Sequence, residues 1–539
     1  MFTDRIKATL TLTIGTTSFT VRAGDLIAFH LAMEPWGFAA SAEFWLVSTA
    51  AANEDTLFAQ FVGLDAVTAT LALQRALEEP DETTTALTVK GLVTTKAVVE
   101  RVQSDVLGGP VLQRKYTIHF ADRGGVLWRQ HRPTALYVDS TITALLAANT
   151  PAGVTIEAST WPGASVTRPI LALGLGVDDG SASFWDFLGW LVERENAGLY
   201  YDVASGAYAI TSLKPPGVST VHLRREHIAT VETVFPTVRR DKVAVLNAFS
   251  EAATRTKDVL NPHGVVGVRR DYLTRSSIEA DITTRAALEG GRARQREPEV
   301  VVCFAQFPTT PVVPSAKVDL GEGFATTVFQ SGKTYRALTV TIDAHADEKE
   351  AGKNRDDDSA SYSVHYEARL ETSSDPVFHA PPHVRPTWPF QVEGKVLSEV
   401  GQDTDGTYQS YKDAGNSLDL YKVKIPLWAD AKVIASFEPG MLTGHFYFPV
   451  YRDARVLVAL DFEHATITGF LDWRPGARLP LDTQGNHILV GKGAKNQTSI
   501  KHVYEDQKPA LSISRSSNTD LQVITVVEGV IRMETKDVE

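Results

Sequence analysis

Tyr421-Lys422-Val423-Lys424-Ile425-Pro426-Leu427-Trp428 places an apolar side chain at every second position. Successive side chains of a strand point to opposite faces, so a period of two describes a strand with one buried face. Val392–Leu397, His445–Phe448, Ala454–Leu460 and Ile467–Trp473 have the same strand character on either side. Five short strands so close together fit one small closed barrel of the OB type.

Upstream, His379-Ala380-Pro381-Pro382-His383-Val384-Arg385-Pro386 has too many prolines for regular structure. It reads as an extended linker and sets a domain boundary near residue 385. The chain opens with Ile6, Ala8, Leu10, Leu12 and Ile14 alternating with Lys and Thr, then a turn at Gly15-Thr16-Thr17. Ala42–Val47, Leu57–Val62 and Ala86–Val89 also read as strands.

Helices are few. Asp139-Ser140-Thr141 can cap a short one carrying Ile142, Leu145 and Leu146. The strongest spans Ser183–Asn196, where Phe184, Phe187, Leu188, Leu191 and Val192 form one stripe. Ser183 and Asp186 make a capping box, and Gly198 offers a left-handed terminus. A hairpin follows, Leu199–Val203 and Tyr208–Ile210, turning at Ser205-Gly206. Asp343–Asp358 reads as a solvated acidic loop; its crowded carboxylates leave a bound cation open, without the ligand spacing of an EF-hand. Asp403-Thr404-Asp405-Gly406 reads as a polar turn.

The last stretch, 476–539, holds short alternating pieces with too few apolar residues for a core of their own. Identical copies wrapped about a shared axis would supply one. The expected inward set is Ile488, Val490, Leu511, Ile513, Leu521, Val523, Ile531 and Met533, with Ser512 and Gln522 outward.

Bulk properties narrow the function. The 539 residues carry a formal net charge of −12 and show no Lys/Arg-dense run, so no nucleic-acid partner is expected. No stretch matches a secretory signal or a membrane-spanning helix, so synthesis in the cytoplasm is expected, with export only inside a larger particle. Cys303, the one cysteine, sits in an apolar run and reads as a small buried hydrophobe.

No H-E-x-x-H, G-x-S-x-G or P-loop motif occurs. Arg474–His487 is too short to hold a glycosidase domain, which needs two carboxylates on a substantial scaffold. His379 and His383 have helical metal spacing, but Pro381 and Pro382 forbid the helix. Phe184 and Phe187 read as core; Trp185 and Trp190, nearer the helix flank, could serve a subunit interface. No catalytic residue, metal or cofactor is expected.

Three stretches carry a resemblance: Phe184-Trp185-Asp186-Phe187-Leu188-Gly189-Trp190-Leu191-Val192-Glu193-Arg194-Glu195-Asn196-Ala197-Gly198-Leu199-Tyr200-Tyr201, Phe448–Leu460 and Ile467–Leu471. Their order resembles the VgrG family and its phage relatives, the fused hub and spike of contractile injection machines. The resemblance implies a mainly β protein with minor α: a hub over 1–385 with two tube-like β-barrels and inserted α/β elements, an OB-fold neck over 386–475, and a triple-stranded β-prism over 476–539 formed by a homotrimer. It implies as partners an Hcp-like inner tube protein, a PAAR-type tip cap, baseplate proteins and a cargo effector, and a structural rather than enzymatic role. A baseplate hub that degrades cell wall and a carbohydrate-binding β-protein stay open as alternatives.

Overall fold

The computed structural model describes the chain except for residues 50–54, 78–82, 106–108, 159, 178–181, 216–219, 322–332, 349–356, 398–410, 413–418, 438–453, 473–485, 494–495 and 538–539. The fold is mostly β. The chain forms two compact units, one of Met1–Pro133, Thr141–Val166 and Asp178–Pro386, the other of Thr134–Ser140, Thr167–Val177 and Thr387–Glu539. The break falls at the Pro-rich linker. A single cut near 385 nevertheless misses the antiparallel pair Thr134–Ser140 and Arg168–Gly174, which belongs to the second unit and supplies Ile170 and Ala172 to its core.

In the first unit, the opening strand Phe2–Ile14 buries Ile6, Ala8, Leu10, Leu12 and Ile14, as its alternation requires. It pairs with Val67–Arg75 on one side and Ser359–Thr372 on the other. Pairing continues through Leu87–Asp105, Gly109–Ala121, Gly37–Thr49, Leu26–Glu34 and Tyr335–Ala346, which returns to Ser359–Thr372. Eight strands thus close a ring. The hairpin of Tyr335–Ala346 and Ser359–Thr372 is longer than the ring needs. Its other half pairs with Lys317–Asp319 and Glu299–Phe304, which in turn hold Thr220–His222 and Ile228–Val234. Among the described residues this second array does not close on itself.

Three local expectations are corrected. Phe58–Phe61, expected as strand, is one helical turn. Asp55 accepts the Phe58 N–H at 3.2 Å, and Phe61 packs edge-on against Tyr116. Asp343–Ala346 continues its strand with Ala344 and Ala346 buried, so the acidic loop starts later; residues 349–356 lie outside the described residues. Glu279–Arg292 is a helix that the pattern hid, because Thr283, Thr284, Gly290 and Gly291 dilute its stripe of Ile282, Ala286 and Glu289. Gly291 lies close to Asn196: a Cβ there would stand 2.6 Å from Asn196 Nδ2, so the amide would have to turn aside.

In the second unit Phe390–Val396, Arg455–Leu460, Ala465–Asp472, Ala431–Phe437 and Asp419–Ile425 form a closed five-stranded barrel. Lys395 opposite Lys424 and Val396 opposite Val423 complete it. Gly394 permits the seam, since a Cβ would stand 2.4 Å from Val423 Cγ1. Val396, Val423, Val433, Val456, Val458 and Ile467 fill the interior. Ala431–Phe437, not assigned from the sequence, is one of the five strands; the expected strand His445–Phe448 and the turn Asp403–Gly406 lie outside the described residues.

Candidate assembly interface

The C-terminal sheet is a meander of five antiparallel strands, Asn486–Gly493, Asn496–Glu505, Lys508–Ser516, Asp520–Val527 and Val530–Asp537. Residues directly opposite share a face. The register runs Ile488–Ile500–Ile513–Ile524–Met533, one apolar residue from every strand in a single row. These side chains are 46, 41, 39, 38 and 75 % exposed. Leu511, Val526 and Ile531 extend the row along the same face.

The opposite face is built differently. Its middle row has Ser499, Ser514, Val523 and Glu534 in line, with the Ser499 and Ser514 hydroxyls 2.7 Å apart. Ser512 and Thr525 stand on this face as well. Val503, Ala510, Val527 and Val530 stand on this face too, with Ala510 only 1 % exposed, so both faces carry apolar residues and the isoleucine row is the more open of the two.

The eight expected inward residues therefore do not share a face. Ile488, Leu511, Ile513, Ile531 and Met533 do, and Val490 pairs with Thr498 in the same register. Leu521 and Val523 lie on the other face. Gln522, expected outward, stands on the isoleucine face opposite Arg515. The error is one residue in one strand. Leu521-Gln522-Val523-Ile524-Thr525-Val526-Val527 is apolar in both alternations, so its own pattern cannot choose; the pairing of Ile513 with Ile524 does.

The quoted helix and hairpin form as expected. Phe184–Glu195 starts at Ser183 with a complete capping box, Ser183 Oγ accepting from Asp186 N at 3.3 Å and Asp186 Oδ2 from Ser183 N at 2.8 Å. The left-handed terminus is Asn196, φ 51° and ψ 49°, rather than Gly198. Gly198 begins the hairpin, where a Cβ would meet the Tyr200 ring at 2.4 Å. Trp185 is 2 % exposed and stacks on Trp128, so it belongs to the core and not to a flank. Trp190 is half-buried, tilted against Phe187 and covered by the Arg194 guanidinium at 5.3 Å.

Asp122 lines a cavity of about 500 Å³ with Trp36, Phe38, Val126, Arg129 and Trp185. Burial pushes its carboxyl up to about 6. Its oxygens accept from Gly125 N at 2.5 Å, from Phe38 N at 3.2 Å and from the Tyr208 hydroxyl. With those bonds made, Asp122 ties three segments of chain together. Far apart in sequence but together in space, Lys214, Arg336, Glu371 and Asp375 form a buried ion network, with Lys214 Nζ 2.6 Å from Glu371 and 3.5 Å from Asp375. Among the described residues no group of three His, Cys, Asp or Glu has metal-binding geometry, and no helix is long and apolar enough to cross a membrane.

Comparison with known proteins places this architecture in a class. No family model matches the sequence, and no curated protein matches it. Solved structures do. A chain of the lidded Francisella PdpA–VgrG complex aligns at a TM-score of 0.72 and 12 % identity, over 99 % of this chain and 80 % of that one. A chain of the lidless PdpA–VgrG complex gives 0.72 and 11 %, covering 99 % of both, and the half-lidded Francisella complex gives 0.70 and 11 % over 98 % and 88 %. The fold is thus a β-rich fold shared with chains of PdpA–VgrG complexes. At this identity the likeness establishes fold alone.

Proposed function

We propose that this chain is the central hub and spike of a contractile injection machine, a structural part and not an enzyme. Three copies associate through their C-terminal sheets, with the isoleucine faces turned to a common axis as a β-prism, and the five-stranded barrel serves as an OB-type neck. The hub unit would meet an Hcp-like inner tube, and the prism tip a PAAR-type cap. Baseplate proteins and a cargo effector complete the partner set.

The Ile488–Ile500–Ile513–Ile524–Met533 row is the observation that supports this reading. It lines up an apolar residue from all five strands on a face that the single chain leaves open. Each of these side chains is already partly buried, so covering it adds about 1 kcal/mol, repeated five times per chain and in every copy. Sedimentation equilibrium of the full chain tests the reading: three chain masses at micromolar concentration are expected, and a stable monomer would overturn it.

A further inference from the structure

We infer that the module formed by residues 239–296 is a docking site for an acidic, extended segment of a partner protein, added as a fourth strand beside Arg269–Thr274. The inference does not depend on the spike reading. The module is a three-stranded sheet, ordered Thr256–Val259, Lys242–Asn247, Arg269–Thr274, covered on one face by the helix Glu279–Arg292. Its own core of Val243, Val245, Val259, Ile282, Ala286 and Ala293 holds it together.

Arg269–Thr274 is an edge strand, paired only with Lys242–Asn247 among the described residues. The Val268 carbonyl accepts from Lys242 N and the Thr274 carbonyl from Ala248 N, both at 2.8 Å. Peptide groups alternate in direction along a strand paired in parallel, so those of Arg269, Asp271 and Leu273 face away from the sheet. That is a row of donors and acceptors with the spacing a further strand satisfies.

Charge selects the partner. The chain as a whole is at −12, yet residues 239–296 contain twelve Lys and Arg against seven Asp and Glu, a local excess of +5. Arg240, Lys242 and Arg270 come within 4.0 Å of no carboxylate among the described residues, and all three are exposed. Among the described residues Arg269 reaches only one carboxylate, that of Asp271 on the same strand, at 3.0 Å. The edge strand carries Arg269 and Arg270 against Asp271, with Lys242 on the strand beside it and Arg240 just before that strand, and this net positive charge disfavours a second copy and favours an acidic strand. Beside it Val266 and Leu273 are 84 % and 75 % exposed, an apolar margin for the alternate side chains of the added segment.

The test uses the full chain and a fluorescent acetylated octapeptide of alternating Val and Glu, with alternating Val and Lys as control. The acidic peptide should bind at least about tenfold tighter, weaken about tenfold between roughly 50 and 300 mM salt, and protect the amides of Arg269, Asp271 and Leu273 from hydrogen exchange. Asp271→Pro, which removes one outward N–H, should abolish that protection. Arg269→Glu with Arg270→Glu should abolish binding while leaving the exchange of the module's core amides unchanged. Equal binding of both peptides, protection elsewhere, or capture of the chain by phosphatidylserine vesicles but not by the acidic peptide would overturn the inference.

Discussion

Ile513 and Ile524 stand opposite one another on adjacent strands of the C-terminal sheet, both more than a third exposed, at the centre of a row that crosses all five strands. Val523, one residue earlier, stands opposite Ser514 on the other face. In the proposed prism Ile524 would face the shared axis and Val523 the flank. Ile524→Asp would bring three like charges together on a dry axis, at a cost of several kcal/mol. It should dissociate the trimer in sedimentation runs, whereas Val523→Asp should leave three chain masses. Equal behaviour of the two would refute the register or the prism.

Asp122 gives the first unit a pH signature. Its folded carboxyl titrates near 6, above the ordinary 3.8, so between those values the folded chain holds a proton that the unfolded chain has released. Stability from this group therefore falls as pH rises from about 4 to about 6, by up to roughly 3 kcal/mol, and is flat above. Asp122→Asn should flatten that slope. Trp128 and Trp185 are packed close by, and their fluorescence in urea titrations at a series of pH values reports it.

Lys214 and Glu371 are each almost fully buried, and Arg336 and Asp375 complete their network. Burial raises the Glu371 carboxyl, but His379 and Lys214 outweigh it and hold the group below its usual range. Its contribution is thus present above the unfolded value and lost as pH falls. Lys214→Met removes the cation shared by Glu371 and Asp375 while Arg336 stays against Glu371, so a loss of about 3 kcal/mol, at the low end for a broken buried pair, is expected in denaturant melts. Replacing both Lys214 and Glu371 by apolar residues should cost less than the single change.

Gly91→Ala tests the closed ring. The new Cβ would lie 2.0 Å from the Ala121 carbonyl oxygen, a backbone atom that cannot swing aside. A drop in melting temperature of the first unit is expected, with the oligomeric state of the full chain unchanged.

Most of the strands were legible because their buried faces alternate without ambiguity, as in Ile6–Ile14 and Tyr421–Ile425. The helix at Phe184 was legible from its stripe and its cap. What stayed hidden depended on partners distant in sequence. Ala431–Phe437 has Lys432, Ile434 and Ser436 interleaved with its buried Val433 and Ala435, a weak alternation until Asp419–Ile425 pairs with it. The Glu279 helix is polar enough to pass for loop, since it covers only a small sheet. Trp185 looked like flank because helical spacing says which side a residue takes but not that Trp128 waits there. In the candidate interface, the apolar residues were legible and one strand's face was not, because both of its alternations are greasy.

The hairpin Tyr335–Ala346 and Ser359–Thr372 is shared between the closed eight-stranded ring and the second array. A ladder pulled across its rungs opens like a zipper, one bond at a time. Pulled lengthwise, it must break every rung at once. A push along the hairpin therefore meets the sum of its hydrogen bonds, and one ribbon stiffens both arrays against thrust in that direction.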